Sequence, residues 1–510
     1  MDPPADLVLR GGEIRTLGGP ERTVAAVAVR DGRVVGVTSE YESQFRTGVE
    51  TTVVDLDGRV VLPGFVDAHA HVEHLGRQIV HPDLGEANGI GDLVDLLRTD
   101  DATDGEWIQG YGYDESEWST GGRYPTREDL DRVATDRPVV AFRVDMHAAS
   151  VNSAALDRLD DLPDATVHTE DGEPTGVLVE DAVDVVRDAI APDEARTRKY
   201  LQAAIRRAHQ RGVTGVHDIV RNSHAPGVYR DLDRTGDLRV RVTLLYWTDH
   251  LDAAAELGLR PGHGSRFLRT GPIKTYTDGS FGSRTAKLTE PYDDAEGERG
   301  TWVVPPSELE SIVERATGAG FPVAAHAIGD EAIEAVLDAF ETHPAPTGRH
   351  RIEHAELLTD DAIERLAASG TVASVQPNFL QWAGPEGLYE SRLGTDRRQR
   401  TNRYAALIDA GIPLAFGSDC MPLDPLYGIH HAVNAPATEQ RVSVSAAVRA
   451  YTVDSASAGI PGDRSPAIEP GALADLTVLS DSPWEHPESI RDIAVEMTIV
   501  DGEIVYDGRD

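Results

Sequence analysis

The chain has 510 residues, with 48 lysine and arginine residues against 87 aspartate and glutamate residues, so its formal net charge is −39. This acid excess excludes the basic face that nucleic acids and anionic membranes require. The single cysteine, Cys420, excludes an intrachain disulfide framework and a cysteine-based zinc knuckle. The N-terminal sequence lacks the pattern of a signal peptide, and no apolar run reaches 18 residues, so we expect a cytoplasmic protein.

The acidic residues are spread over the whole chain, whereas only three residues are lysine: Lys199, Lys274 and Lys287. A uniform excess of carboxylates, with arginine in place of lysine, is typical of surfaces that stay hydrated in concentrated salt. We therefore interpret the composition as that of a halophilic protein. The alternative is an acidic surface for a basic partner.

Both ends of the chain predict β-strands. Alternating apolar and polar residues, separated by glycine turns, occupy residues 6–62 and again 471–507. Asp-Gly pairs flanked by such runs predict β-hairpins. We predict one small β-sandwich built from both termini, residues 1–62 and 466–510, with a larger domain inserted between them.

The middle of the chain alternates short apolar runs with helical stretches. The eight runs are 64–71, 212–218, 241–247, 271–280, 321–330, 351–357, 371–377 and 412–419. Eight such units predict an α/β fold, a (β/α)8 TIM-like barrel over residues 63–77 and 196–465. Because about 150 residues separate the starts of the first two runs, residues 78–195 are predicted to be an insertion after the first barrel strand. We expect this insertion to cap the pocket.

Catalytic groups of such barrels lie at the C-terminal ends of the strands. The candidates at these ends are His69, His71, Lys274, His326, His354 and Asp419. Imidazole suits zinc and other divalent first-row metals. A lysine becomes a bridging ligand when carbon dioxide adds to its neutral amine and forms a carbamate, and burial favours the neutral amine. A carboxylate such as Asp419 can bind metal and accept a proton from water.

These six residues, in this order, resemble the amidohydrolase superfamily. The segments LPGFVDAHAH, GYGYDESEW, VDMHAASVNSAAL, IKTYTDGSFGSRTA, HAIGD, RIEHAEL, QPNF and FGSD resemble its YtcJ-like branch, amidohydrolase family 3. The resemblance covers nearly the whole chain. It implies a metal-dependent hydrolase of carbon–nitrogen bonds other than peptide bonds, and barrels of this family are often homodimers.

The resemblance also implies a set of metal ligands. His69 and His71 would hold the more buried metal, and His326 and His354 would hold a second one. Lys274, carboxylated on N6, would bridge the two ions. Metal number varies in the superfamily, so one or two ions per chain are expected, with zinc as the expected metal.

The resemblance makes Asp419 a metal ligand and the proton acceptor, so the predicted catalytic residues are Asp419, His354 and Lys274. Metal-activated water would hydrolyse an amide, an N-substituted formamide or a cyclic amide of a small molecule. One alternative is a mononuclear deaminase of a nucleobase-like ring. Such enzymes usually lack the lysine of strand four and carry HxxE after strand five, whereas here AIGD follows His326. A second alternative is a non-catalytic barrel subunit, which would typically have lost ligands.

Four further residues are candidates for substrate binding. Arg284 either holds a substrate carboxylate or carbonyl or pairs with one of the many acids. His147 lies near the substrate if the resemblance holds, or packs in a buried position. Gln376 follows strand seven and can hydrogen-bond substrate, and Asp114 either lines the pocket cap or packs within its loop. Two other residues near strand ends are interpreted as hydrogen-bonded support rather than as ligands: His217 and Asp278.

Overall fold

The computed structural model describes residues 3–19, 22–100, 107–118, 122–144, 146–459 and 466–509. The strands, in chain order, are β1 Leu7–Arg15, β2 Thr23–Arg30, β3 Arg33–Thr38, β4 Thr52–Asp55, β5 Val60–Pro63, β6 Phe65–Ala70, β7 Ile108–Tyr113, β8 Val139–Arg143, β9 Ala148–Val151, β10 Val167–Glu170, β11 Glu173–Val179, β12 Val213–Val220, β13 Arg241–Trp247, β14 Leu268–Tyr276, β15 Val323–Ala327, β16 Arg351–His354, β17 Val372–Val375, β18 Leu414–Phe416, β19 Leu476–Leu479, β20 Val495–Val500 and β21 Glu503–Asp507.

The α-helices are α1 Glu40–Ser43, α2 Val72–Val80, α3 Ile90–Leu97, α4 Arg127–Asp131, α5 Ser153–Leu156, α6 Asp181–Ala189, α7 Glu194–Gln210, α8 Ala225–Thr235, α9 Leu251–Glu256, α10 Pro306–Gly318, α11 Asp330–Thr342, α12 Asp360–Ser369, α13 Leu388–Gln399, α14 Tyr404–Asp409, α15 Pro425–Val433, α16 Val444–Ala450 and α17 Val453–Gly459. Among the described residues, none of the helices combines the length and the apolar character that crossing a membrane requires.

The chain divides into two units. The larger comprises Met1–His71, Ile205–Asn222 and Pro226–Asp510, and the smaller comprises Val72–Ala204 and Ser223–Ala225.

Eight parallel strands form the central sheet of the larger unit, in the order β18-β17-β16-β15-β14-β13-β12-β6. Each strand overlaps one of the eight predicted apolar runs, and β12 and β14 extend beyond theirs. β12 and β16 are buried along their whole length, as strands of a parallel sheet covered on both faces are. The amide of Asp419, just after β18, donates to the carbonyl of His69 in β6 over 2.8 Å. This contact nearly closes the sheet and confirms the prediction of an α/β fold with an eight-stranded parallel barrel.

The helices of the barrel carry the end signals that helices need. In α12, the side-chain oxygen of Thr359 accepts from the amide of Ala362 at the N-terminus. At the other end, Gly370 takes a left-handed conformation with φ of 66°, which glycine adopts without steric cost. The chain then returns directly into β17 beside the neighbouring strand.

Strands from both chain ends form a second sheet in the larger unit, with the order β21-β20-β19-β5-β1-β2-β3 and with β4 also paired to β1. Its apolar core joins both termini, because Leu7 and Val27 cluster with Leu476 and Ile499. This confirms that the two ends build one β-structure. The division of that structure into the two layers of a sandwich stays a prediction.

Two of the predicted Asp-Gly hairpins are present. Asp31-Gly32 joins β2 to β3 and Asp501-Gly502 joins β20 to β21, in each case with both residues at positive φ. The prediction of a hairpin at Asp57-Gly58 is wrong, because β4 and β5 each pair in parallel with β1 instead of with each other. The turn itself forms, but two residues cannot fix which neighbour the following strand selects.

The smaller unit contains a five-stranded sheet in the order β10-β11-β9-β8-β7. Its strands pair antiparallel except for β7 and β8, which are parallel. Apolar clusters cover it, one centred on Val140, Phe142 and Leu178 and the other on Leu93 and Leu130. The smaller unit therefore has a core of its own.

Candidate metal centre

A row of imidazoles crosses the C-terminal rim of the barrel. His71, His69, His354 and His326 follow one another with ring centroids 5.7, 4.9 and 4.4 Å apart. They come from the ends of β6, β15 and β16. β15 and β16 are neighbours in the sheet, whereas β6 stands at the other end of the strand order and reaches them across the mouth of the barrel. The barrel therefore brings together the four histidines that the sequence singled out.

Asp419 joins one end of this row. Its Oδ1 lies 3.2 Å from Nε2 of His71 and 3.7 Å from Nε2 of His69, and the potential ligand atoms of the three residues all lie within 4.8 Å of one another. Burial would raise the pKa of Asp419, but the hydrogen bond from His71 and the nearby imidazoles lower it below its ordinary value. The carboxylate is thus held ionised beside two imidazoles.

The backbone at the rim is unusual at two of these residues. Asp419 and the following Cys420 have φ of 54° and 60°, and His354 and the following Ala355 have φ of 72° and 48°. Non-glycine residues rarely adopt this left-handed conformation, and such conformations concentrate at functional sites. The strained turns aim the Asp419 and His354 side chains across the mouth of the barrel. The buried Cys420 also accepts a hydrogen bond from the amide of His71 on Sγ, 3.2 Å away.

His326 and His354 each leave a ring nitrogen open. Within the described residues, Nδ1 of both rings is buried without a hydrogen-bond partner, although buried polar atoms are nearly always paired. Nε2 of His326 faces the carbonyl oxygen of Gly279 at 3.1 Å, so Nε2 carries the hydrogen and Nδ1 has a free lone pair. Burial lowers the pKa of His354 to about 3 and that of His326 well below its ordinary value. Both rings are therefore neutral, the form that binds metal.

Lys274 is buried at the end of β14, next to these rings. Its Nζ donates to the carbonyl of Thr275 over 2.9 Å and lies 4.3 Å from the ring centre of Tyr276, which in turn stacks on His326 at 4.2 Å. Burial lowers the pKa of Lys274 to about 7, although the charges of Glu353 and Asp419 oppose the shift. A large share of this amine is therefore neutral near neutral pH.

Taken as a donor set, the rim fits a divalent metal. It offers neutral imidazoles, an ionised carboxylate and an amine that burial keeps partly unprotonated. Over the ranges that the structure describes, the Nδ1 atoms of His326 and His354 have no hydrogen-bond partner. Imidazole and carboxylate donors are those that zinc and related first-row metals take.

Asp278 and His217, which the sequence predicts to support the ligands through hydrogen bonds, are both hydrogen-bonded near the rim. Asp278 accepts hydrogen bonds from the amides of Lys287, Ile328 and Gly329 over 2.8, 3.1 and 2.9 Å, and so ties the loop after β14 to the loop after β15. His217 accepts from Arg351 on Nδ1 over 2.9 Å.

The substrate-binding candidates in the larger unit differ from each other. Arg284 is partly exposed and makes a two-pronged contact with Asp294, with N–O distances of 3.0 and 2.8 Å. It is therefore engaged by an acid, one of the two alternatives considered above. Gln376 is buried, and in the described structure its Oε1 has no hydrogen-bond partner. It retains an unused acceptor.

The other two candidates belong to the smaller unit. Asp114 accepts from the amide of Ser116 over 3.0 Å and from Arg143 over 3.2 Å, so it shapes its own loop. His147 is exposed rather than packed in a core, and its Nδ1 lies 3.1 Å from Glu180. Their role toward substrate stays a prediction.

The sequence reasoning missed two residues behind His69. Glu353 and Arg351 are completely buried in β16, and Glu353 Oε2 lies 2.7 Å from Nδ1 of His69. A signal was available: two charged residues at i and i+2 of a short strand point to the same face. Since all of β16 is buried, that face is the interior of the barrel.

A parallel barrel with histidines, a buried lysine and an aspartate on its C-terminal rim defines the class of metal-dependent hydrolases. The sequence profile described as "Amidohydrolase family" matches residues 52–506. The chain belongs to this family, and it is a hydrolase that acts on carbon–nitrogen bonds.

Individual proteins agree with this assignment. The chain is 33% identical to YtcJ of Bacillus subtilis (strain 168), a candidate amidohydrolase, over 98% of this chain and 99% of that protein. It is 27% identical to the N-substituted formamide deformylase of Arthrobacter pascens, over 98% of each. The crystal structure of an uncharacterized metal-dependent hydrolase from Pyrococcus furiosus superposes with a TM-score of 0.83 at 31% identity, covering 94% of this chain and 99% of that one.

Proposed function

We propose that the protein is a zinc-dependent hydrolase of N-substituted formamides or related small amides. The observation that carries the proposal is the row of four neutral or carboxylate-paired imidazoles that ends at Asp419, with two ring nitrogens left open. When bound, a divalent metal supplies Lewis acidity that polarises a carbonyl group and acidifies water. His69, His71, His326, His354 and Asp419 would hold it.

Asp419 moves the proton in this proposal. Its carboxylate is ionised and lies at the open rim, where the side chain has a relative solvent exposure of 20%. The carboxylate takes a proton from the attacking water as the water oxygen bonds to the carbonyl carbon. The same proton then passes to the amide nitrogen, the carbon–nitrogen bond breaks, and the products are a carboxylic acid and an amine.

Lys274 is proposed to carry a carbamate. Addition of carbon dioxide to the neutral amine forms an N–C bond and releases one proton, giving an anionic oxygen ligand in place of a cation. The burial that lowers the pKa of Lys274 to about 7 makes the neutral amine available. A cationic lysine among metal ligands would repel the ion, so the modification also removes an electrostatic conflict.

The substrate class rests on a relative rather than on this rim alone. The matched deformylase of Arthrobacter pascens acts, by its name, on N-substituted formamides and aligns over 98% of this chain. We therefore place formamides first among candidate substrates.

A panel of N-substituted formamides, acetamides, lactams and cyclic imides, tested with zinc-loaded protein in concentrated salt, tests this proposal. We expect release of the amine and formate, and loss of release in Asp419→Asn. Release of ammonia from a purine or pyrimidine, with no hydrolysis of any amide, would favour the deaminase alternative. Hydrolysis of nothing by fully metal-loaded protein would contradict the proposal.

A further inference from the structure

The barrel buries a complete ion pair directly beneath the rim. The side chains of Arg351 and Glu353 have no exposed surface, and their atoms approach to 2.8 and 3.1 Å. Moving two charges out of water costs several kcal/mol per ion, and an apolar pair of similar volume is often as stable. A charged pair at this depth therefore points to a task other than holding the barrel together.

Arg351 is fixed by four separate parts of the barrel. Besides Glu353 in its own strand, it donates to the carbonyl of Ala68 in β6 over 2.7 Å and to Oγ of Ser374 in β17 over 2.8 Å. Its Nη1 donates to Nδ1 of His217 in β12 over 2.9 Å. Because a guanidinium is planar and all these acceptors lie on strands, Arg351 has one position available to it.

Glu353, held in place by Arg351, in turn holds the ring of His69 in place. One carboxylate oxygen receives Arg351 Nε, and the other lies 2.7 Å from Nδ1 of His69. An ionised carboxylate accepts only, so the hydrogen of the neutral His69 ring sits on Nδ1 and the lone pair sits on Nε2. Nε2 is the atom that faces Asp419.

We propose that Glu353 is a positioning residue, held in place by Arg351, that fixes the tautomer and the ring plane of His69 so that Nε2 is presented to a metal. This inference rests on the proposed function, since it concerns a ligand of the proposed metal. His71, His326 and His354 have no such carboxylate on Nδ1 within the described structure. The ion pair thus fixes the orientation of His69 more firmly than that of the other three histidines.

A second buried arginine–carboxylate pair offers a matched control. Arg241 in β13 donates to Asp475 over 2.9 Å, and both residues are nearly fully buried. The carboxylate of Asp475 accepts from Arg241 and from the amide of Asp501, and both residues lie outside the rim. Neutralising Asp475 therefore removes a buried carboxylate from a buried arginine, as neutralising Glu353 does, but away from His69; Arg241 keeps Asp501 at 3.2 Å as its remaining acidic partner.

The experiment compares cobalt binding by wild type, Glu353→Gln and Asp475→Asn. The dissociation constant of Co²⁺ is measured by competition with a chromophoric chelator, together with the visible spectrum of bound Co²⁺ and the Tm of each metal-free protein. We expect Glu353→Gln to weaken binding about 10- to 100-fold and to change the spectrum. We expect Asp475→Asn to lower Tm but to bind Co²⁺ within about twofold of wild type.

A milder variant covers the case in which Glu353→Gln does not fold. Ser374→Ala removes one acceptor of Arg351 and no contact of His69, and we expect it to weaken Co²⁺ binding up to about tenfold with Tm near wild type. Two results would overturn this inference and leave the proposed function intact. One is Co²⁺ binding that weakens equally in all variants and only in proportion to the loss of Tm. The other is wild-type Co²⁺ binding in both Glu353→Gln and Ser374→Ala. A wild-type protein that binds no Co²⁺ would overturn the proposed function and this inference with it.

Discussion

The two halves of the candidate metal centre are built differently. At one half, His69, His71 and Asp419 have their ligand atoms within 4.8 Å of one another, and His69 is held from behind by Glu353. At the other half, His326 and His354 hold open Nδ1 atoms, and Lys274 donates to a backbone carbonyl instead of joining the histidines. The ligand atoms of the first half are already close together, whereas those of the second half would be brought together by an anionic ligand, the proposed carbamate of Lys274. We call the first half preorganised for this reason.

This difference follows from charge. The first half already contains an ionised carboxylate beside its imidazoles, so its groups attract one another without a metal. The second half combines neutral rings with a lysine, and the carboxylate of Asp278 faces Nε2 of His326 at 3.6 Å rather than its open Nδ1. The comparison predicts that the first half binds metal more tightly, and that the second fills only after Lys274 is carboxylated.

The largest effect is expected for Asp419→Ala. This change removes the carboxylate ligand of the preorganised half, which is also the proton acceptor, so kcat should fall about 10³-fold, and bound zinc should fall as well. Activity assays and metal analysis of the purified protein measure both. Asp252→Ala, which changes an exposed acid that pairs with Arg315, serves as the control and should behave as wild type. If Asp419→Ala keeps its activity, the assigned proton acceptor is wrong.

The next largest effect is expected for Lys274→Ala. It removes the proposed bridge, so the second half should lose its ion while the first half retains its own, and hydrolysis should fall roughly 100-fold. In ¹³C NMR with labelled bicarbonate, wild type should give a carbamate signal that the variant lacks. Lys287→Ala removes the half-buried lysine that pairs with Glu331 at 3.5 Å and should change neither result. Unchanged metal content in Lys274→Ala would show that the lysine bridges nothing.

A smaller effect is expected for His326→Ala. The variant loses one open Nδ1 of the second half, so we expect one zinc fewer per chain but roughly tenfold lower rather than absent hydrolysis, since the preorganised half is intact. His69→Ala is the matched change in the first half and should reduce zinc binding more strongly. Equal losses of bound zinc in the two variants would contradict the proposed difference between the halves.

The smallest effect is expected for Arg284→Ala, which lies outside both halves. Arg284 is partly exposed and engaged by Asp294, and exposed ion pairs contribute only about 0–1 kcal/mol. Metal content, KM and kcat should all stay near wild type, and a thermal melt should shift by a few degrees at most. A KM raised about tenfold or more, with kcat unchanged, would instead make Arg284 a substrate ligand.

Much of this arrangement could be predicted from sequence. The barrel was predictable because short, largely apolar runs alternate with helical stretches, and the rim residues because His326, His354 and Asp419 each stand near the end of such a run. Parallel strands of a barrel end at one rim, so positions distant in sequence were expected to meet.

The remainder depends on contacts between strands, which a linear pattern does not contain. The role of Glu353 requires knowing that β16 comes close to His69 of β6, and the open nitrogens of His326 and His354 depend on which carbonyl each ring meets. The left-handed turns at His354 and Asp419 could not be predicted either, because neither residue is glycine and the barrel imposes the conformation. The pairing of β4 and β5 with β1 was missed for the same reason.

The central claim is that this rim holds a divalent metal that the reaction needs. It is tested most directly by removing the metal with a chelator in concentrated salt, measuring residual metal and the hydrolysis of an accepted N-substituted formamide, and then adding zinc back. The account predicts that hydrolysis disappears with the metal and returns with zinc. Full hydrolysis by protein that contains no metal would contradict it.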